Sequence, residues 1–185
     1  MASLVLFVPP NVKLSQYQES IFVHQLLRAL GPCLKSIQVV FTPTPRILRY
    51  HTFHQPLWND SRQQWDACGI IDTVGPFGVP YAKNRCIFLV ILSEDAYVSG
   101  RSFVFGAAKY MKGAVISMAR LDRSFDNFQS LLFKETAHEL GHVFGLVHCK
   151  APCVMAFSPT ADDVRLKKGG FCGRCNMLLK GQTVK

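Results

Sequence analysis

Residues 138 to 148, HELGHVFGLVH, demand a particular shape if their three histidines are to act together. On an α-helix side chains four apart share a face, so His138 and His142 present two imidazoles side by side with Glu139 projecting next to them. Gly145 comes three residues after His142, where a left-handed residue ends a helix with little strain. His148 follows three further on, and a redirected chain can bring it back to the same point. Three neutral imidazoles leave a tetrahedral zinc one open position, the mark of a catalytic rather than a structural site. Zinc held there would lower the pKa of its water from about 15.7 to about 7 and polarise a carbonyl. Glu139 would carry a proton from that water to a leaving amine. The expected chemistry is peptide-bond hydrolysis; the plainer alternative is a helix whose histidines are packed or solvated and bind nothing.

Cys149 follows His148 directly, Cys153 comes after three intervening residues, and Cys172-Gly-Arg-Cys175 is a second close pair. Two such pairs make a thiolate zinc site that fills all four positions and leaves none for chemistry, so this ion would be structural and would staple the tail onto the turn after Gly145. Disulfides or plain thiols are the alternatives. The other three of the seven cysteines, Cys33, Cys68 and Cys86, lie in apolar stretches and read as small core residues.

A chain of 185 residues is about one domain. Hydrophobic residues make up 49% and charged ones 18%, which excludes a disordered or low-complexity chain. The net charge of +9 raises the question of an anionic partner, but only Arg165, Lys167 and Lys168 cluster, and no nucleic-acid partner is expected. The opening MASLVLFVPP lacks a basic lead and a cleavage-like site, so it reads as a buried strand. The longest apolar run elsewhere, 86–92, is far too short for a membrane span. A soluble, cytoplasmic monomer is expected.

Apolar spacing predicts a strand at 4–8, a helix from Leu14 to Leu30 stopped by Gly31-Pro32, and a strand at 36–41. Asn59-Asp60-Ser61 suggests the cap of a helix reaching about Thr73, broken by Gly75 to Pro80. CIFLVILSED at 86–95 reads as a strand buried on both faces. SFVFGAA at 102–108 and GAVISMARL at 113–121 form a hairpin through Lys109 to Lys112, with Gly106 marking a bulge or a close backbone approach. A long helix is expected from Asp126 to Phe144, another from Ala161 to Lys167, and a short one after Cys175.

On His138 to His148, followed at once by Cys149, then Cys153-Val154-Met155 and Cys172-x-x-Cys175, the chain resembles the archaemetzincin branch of the metzincin zinc peptidases. The likeness extends upstream through SFVFGAAKYMKGAVISMARL and covers roughly residues 84 to 179. It implies an α+β metzincin fold: an upper lobe of about residues 1–145, with a twisted mixed sheet and two long helices, then a cleft and a small lower lobe of about 146–185. It implies that Met155 is the Met-turn residue beneath the zinc ligands, where spacing alone suggests a core methionine. The first cysteine pair is one residue closer than in the family pattern, and sixteen residues (156–171) separate the methionine from the last pair instead of seventeen. Phe157 stands where some metzincins carry a tyrosine ligand, so no phenolic ligand is expected.

A peptidase of this kind would bind an extended peptide or protein substrate along the SFVFGAA edge by strand addition. Phe103 and Phe105, or the stretch after Met155, would shape a side-chain pocket; the alternative is that both phenylalanines belong to the core. Two other functions compete: a metal-containing binding or regulatory module with little turnover, and a zinc-finger-like nucleic-acid binder built on the tail.

Overall fold

The apolar run at 86–92 becomes the centre of a five-stranded sheet. The computed structural model describes residues 1–9, 16–41, 57–77, 86–121 and 125–181. In chain order its elements are β1 (Ala2–Val8), α1 (Gln16–Leu30), β2 (Leu34–Phe41), β3 (Trp58–Asn59), β4 (Gln64–Asp66), α2 (Ala67–Phe77) and β5 (Cys86–Leu92). Then follow β6 (Ala96–Tyr97), β7 (Gly106–Lys109), β8 (Gly113–Ser117), α3 (Phe125–Val143), α4 (Ala161–Leu166) and α5 (Gly173–Gly181).

The large sheet has the order β2-β1-β5-β8-β7, parallel throughout except for β7, which pairs antiparallel with β8 and forms one edge. A strand covered on both faces must be apolar on both faces, and β5 is: Ile87, Leu89 and Ile91 join the core beneath α1 and α3, while Phe88, Val90 and Leu92 join the core beneath α2. Cys153, Val154, Met155, Cys175 and Leu179 are buried in the first of these cores, so the chain after Gly145 is anchored to the sheet-and-helix body by burial. No helix among the described residues is long and apolar enough to cross a membrane.

The mixed α+β fold agrees with expectation, but four local readings are corrected. Asn59 does not cap a helix: its Oδ1 accepts from the Arg62 backbone N–H at 3.1 Å and the Ser61 hydroxyl at 2.8 Å, closing the turn between β3 and β4. The helix starts at Ala67, where the Asp66 carboxylate accepts from the Gly69 N–H at 3.0 Å. Short polar side chains stabilise turns and helix starts by the same hydrogen bond, so the motif alone could not choose. The strand expected from Ser102 begins only at Gly106; residues 101–105 are irregular. The strand reading at 113–121 stops at Ser117, and the last helix starts before Cys175, at Gly173. The start of the first helix at Leu14 lies outside the described residues.

Candidate active site and metal centres

Helix α3 runs against β7 and β8 and ends as the spacing predicts. Gly145 adopts φ +83°, its N–H donates to His142 O at 2.9 Å, and the Leu146 N–H donates to Gly141 O at 2.9 Å. This paired closure satisfies two carbonyls that a helix end leaves open. The Met111 N–H, in the β7–β8 turn, takes a third, Val143 O, at 2.8 Å. The hairpin and the end of the helix are therefore fixed to each other.

The turn delivers the third histidine. One nitrogen from each of His138, His142 and His148 lies in a cluster no wider than 4.8 Å, and the Nε2 atoms of His138 and His142 are 3.2 Å apart. Zinc–nitrogen bonds of about 2.0–2.1 Å place tetrahedral ligands about 3.3 Å from one another. On His138 and His142 the other ring nitrogen is engaged: Nδ1 of His138 donates to Val154 O at 2.8 Å and Nδ1 of His142 donates to Leu146 O at 2.7 Å. Such hydrogen bonds set the tautomer that leaves Nε2 bare. Burial pushes His138 down to about 3, with the nearby Lys167 ammonium adding to the effect, and His142 and His148 also lie below the usual imidazole range, chiefly through burial. All three are neutral at pH 7, the form that can ligate a metal.

Glu139 is buried beside them, and desolvation pushes its carboxyl up to about 8, the Glu135 carboxylate adding to the rise. A cation at the histidines would pull it down again, since a bound metal is the largest charge in such a site. Gly106 proves to be a close approach: a Cβ there would lie 2.5 Å from Glu139 Cγ and 2.8 Å from its carboxyl. Met155 is fully buried, and its sulfur packs under Gly141, where any larger residue would collide with it.

The four tail cysteines form a second cluster, every Sγ within 4.8 Å of the others. Cys149 and Cys172 are 3.8 Å apart and Cys153 and Cys175 are 3.7 Å apart. Disulfide sulfurs lie about 2.05 Å apart, so these are free thiols. A tetrahedron with zinc–sulfur bonds of about 2.3 Å has edges of about 3.8 Å. The shortened spacings noted above are thus absorbed without separating the sulfurs. Cys172 falls to about 7 through the backbone N–H of Cys175, while burial raises Cys153 and Cys175. A cation among them removes that penalty, because a coordinating thiol is deprotonated outright. Of the remaining cysteines only Cys33 is buried, its thiol pushed up to about 11; Cys86 is half-buried and packs against the core beneath α2, while Cys68 is half-buried and belongs to neither core, which corrects its reading as a core residue.

The histidines open onto a cleft of about 320 Å³. Phe103 and Phe105 line it as an edge-to-face pair 5.5 Å apart, and Phe105 is at the same time buried against Leu121, Leu131 and Val164. Phe105 is thus a core residue that also borders the cleft. Phe157 lies on the opposite rim, its ring 5.0 Å from that of His148.

The wall at 101–105 is held from behind by residues the sequence did not single out. Arg62 donates to Arg101 O and Ser102 O, the buried Gln64 donates to Ser102 O at 2.9 Å and to Asp95, and Arg120 pairs with Asp95 while lying over the Phe103 ring. Also missed were Glu135, one turn before Glu139 on the same helix face, and its partner Lys167. The i, i+4 relation to Glu139 was the one local signal for Glu135.

The pattern of peptidase family M54 matches residues 61–181. The archaemetzincin of Haloquadratum walsbyi is 44% identical over 135 residues, 66% of this chain and 75% of that one. That of Archaeoglobus fulgidus is 32% identical over 149 residues, 76% of this chain and 88% of the other. The crystal structure of the archaemetzincin from Methanopyrus kandleri superposes with a TM-score of 0.75 at 30% identity, covering all of this chain and 96% of that one. A match of this extent carries the histidine-bearing helix, the glycine turn and the cysteine-rich tail together, and so the chain belongs to peptidase family M54, the archaemetzincins, and is a zinc-dependent peptidase.

Proposed function

We propose that the chain binds two zinc ions: a catalytic one on His138, His142 and His148, and a structural one on Cys149, Cys153, Cys172 and Cys175. The observation that carries the catalytic assignment is the convergence of one nitrogen from each of three imidazoles, two of which, His138 and His142, have the opposite nitrogen tied to a backbone carbonyl. Bound there, zinc supplies a Lewis acid and an acidified water. Glu139, fixed against Gly106, would hold the proton given up by such a water and would pass it to the leaving amine. Met155 closes the floor beneath the helix. The substrate is an extended peptide laid along the free edge of β7, next to the aromatic pair Phe103 and Phe105. We read the chain as one peptidase domain whose lobes divide at Gly145. Seven free thiols suit a reducing compartment, which supports a cytoplasmic location; we further read the protein as a monomer that acts on peptides, without nucleic-acid or membrane partners.

Elemental analysis of freshly purified, reduced protein tests the stoichiometry and should give two zincs per chain; one would sink the two-site assignment. Protons compete for an imidazole only below its pKa in the metal-free site. A depressed pKa therefore preserves the metal-ready form as pH falls through about 6.5. All three histidines are lowered in the same direction, so loss of the histidine-bound zinc during equilibrium dialysis should set in below the ordinary imidazole range, and loss of that ion centred near about pH 6.5 would contradict the burial of these ligands.

Gly106→Ala tests the placement of Glu139. The new methyl group must displace the buried glutamate, and a shift of about 1 Å in a reacting group can cost on the order of 10²-fold. Turnover should fall by about that factor with both zincs retained. An unchanged kcat would mean that Glu139 does not need its present position.

A further inference from the structure

Glu135 and Lys167 form an ion pair at 2.6 Å with side chains 4% and 3% exposed, respectively. Peptide hydrolysis as described above has no use for it. Apart from each other, Glu135 Oε1 and Lys167 Nζ have no hydrogen-bond partner among the described residues, although an ammonium has three donors to satisfy. Buried polar groups with unused capacity are uncommon and call for a ligand or water.

The place of the pair says which ligand. Glu135 lines the same cleft as the histidines, one helical turn of about 5.4 Å before Glu139. Lys167 stands just beyond α4, close enough for its charge to act on all three histidines and on Glu139. Glu135, and not Lys167, lines the cleft, which it shares with Val98, Phe103 and Phe105. A peptide whose reacting carbonyl sits at the histidines must send a neighbouring side chain somewhere, and the part of the cleft lined by Glu135 lies one turn away.

We propose that Glu135 and Lys167 are the floor of a side-chain subsite that selects a residue with a neutral hydrogen-bonding tip, such as Tyr or Gln, beside the scissile bond. A hydroxyl or carboxamide can donate to Glu135 and accept from Lys167 at once. A cation would meet Lys167, and an anion would meet Glu135, at short range in a poorly solvated recess. An apolar side chain of equal size would leave both groups unpaired. The aromatic walls favour the flat body of a tyrosine.

The proposal rests on the peptidase reading, so its test uses turnover and binding separately. Removing one partner alone would strand a buried charge and could unfold the protein. The Glu135→Leu/Lys167→Met double variant removes both charges, a change that is often neutral or stabilising, and melting temperature and zinc content check its fold. Paired peptides that differ only as Tyr or Phe next to the cleaved bond are compared by kcat/KM. Their Kd values are also measured on a Glu139→Ala background, where binding needs no turnover.

The wild type should favour Tyr by about ten- to a hundredfold, the size of a hydrogen bond to a charged group, and the double variant should bring the ratio near one. A pair that only holds the segment after α4 to α3 would change the melting temperature and leave the ratio alone, which would overturn the proposal. A wild-type ratio near one would do so as well. Discrimination in Kd without cleavage of any peptide would remove the hydrolytic reading and leave the subsite standing; cleavage without discrimination would do the reverse. No binding and no cleavage would remove both.

Discussion

Glu139→Ala should keep both zinc ions and lower peptide turnover by about 10²–10⁴-fold, the range associated with loss of a general acid-base, and further if both proton transfers pass through this one carboxylate. Zinc retention follows from geometry: the three imidazoles converge without Glu139, and the hydrogen bonds that orient His138 and His142 come from Val154 and Leu146. The fold should tolerate the change, since it removes a buried carboxyl that burial already disfavours in its charged form. His142→Ala is the control with the opposite signature, because two imidazoles hold zinc far more weakly than three. It should lose the catalytic ion and turnover together. Zinc content and kcat on the same preparations decide the matter: wild-type turnover in the Glu139 variant would end its catalytic assignment, and a metal-free Glu139 variant would make it a ligand. If the wild type itself cleaves no peptide in a diverse library, a binding module with the same fold becomes the better description.

The second large effect is expected at the cysteine cluster. Cys175 is buried on α5 beside Leu179, and its sulfur is 3.7 Å from that of Cys153, which lies two residues before Met155. Metal binding at such sites is also folding free energy. Cys175→Ser should therefore release the structural zinc and destabilise the protein by at least about 4 kcal/mol, as losses of a metal do. For a domain of this size that is a fall of roughly 8–16 °C in melting temperature. Cys33→Ser supplies the comparison. Its buried thiol donates to Leu179 O at 3.4 Å, so the serine keeps a partner for its hydroxyl, and the cost should be about 1 kcal/mol with zinc content unchanged. Equal effects at the two positions would show that Cys175 is an ordinary core thiol. Turnover should also fall in the Cys175 variant, because the Val154 carbonyl that orients His138 lies next to Cys153 and Met155.

What the sequence determined by itself was local. His138, His142, Gly145 and His148 are legible because helical spacing, a left-handed glycine and a fixed count of residues force three side chains to one point, with little help from the rest of the fold. The central strand β5 was equally plain, since a run of seven apolar residues has only a buried place to go. Gly106 was readable as a close approach, though not what it approaches. Tertiary structure decided the rest, wherever competing local preferences were nearly equal or partners were far apart in the chain. Asn59 and Asp66 offer the backbone the same hydrogen bond, and only the pairing of β3 with β4 and of β4 with β6 makes one a turn and the other a helix start. Phe103 and Phe105 alternate like a strand, yet the segment is pulled out of the sheet by carbonyl contacts to Arg62 and Gln64, some forty residues earlier. Glu135 and Lys167 are separated by 32 positions, and nothing in their neighbourhoods marks them as partners. A buried charge is tolerable only beside its opposite, and which opposite it finds is set by how the segment after α4 folds back against α3.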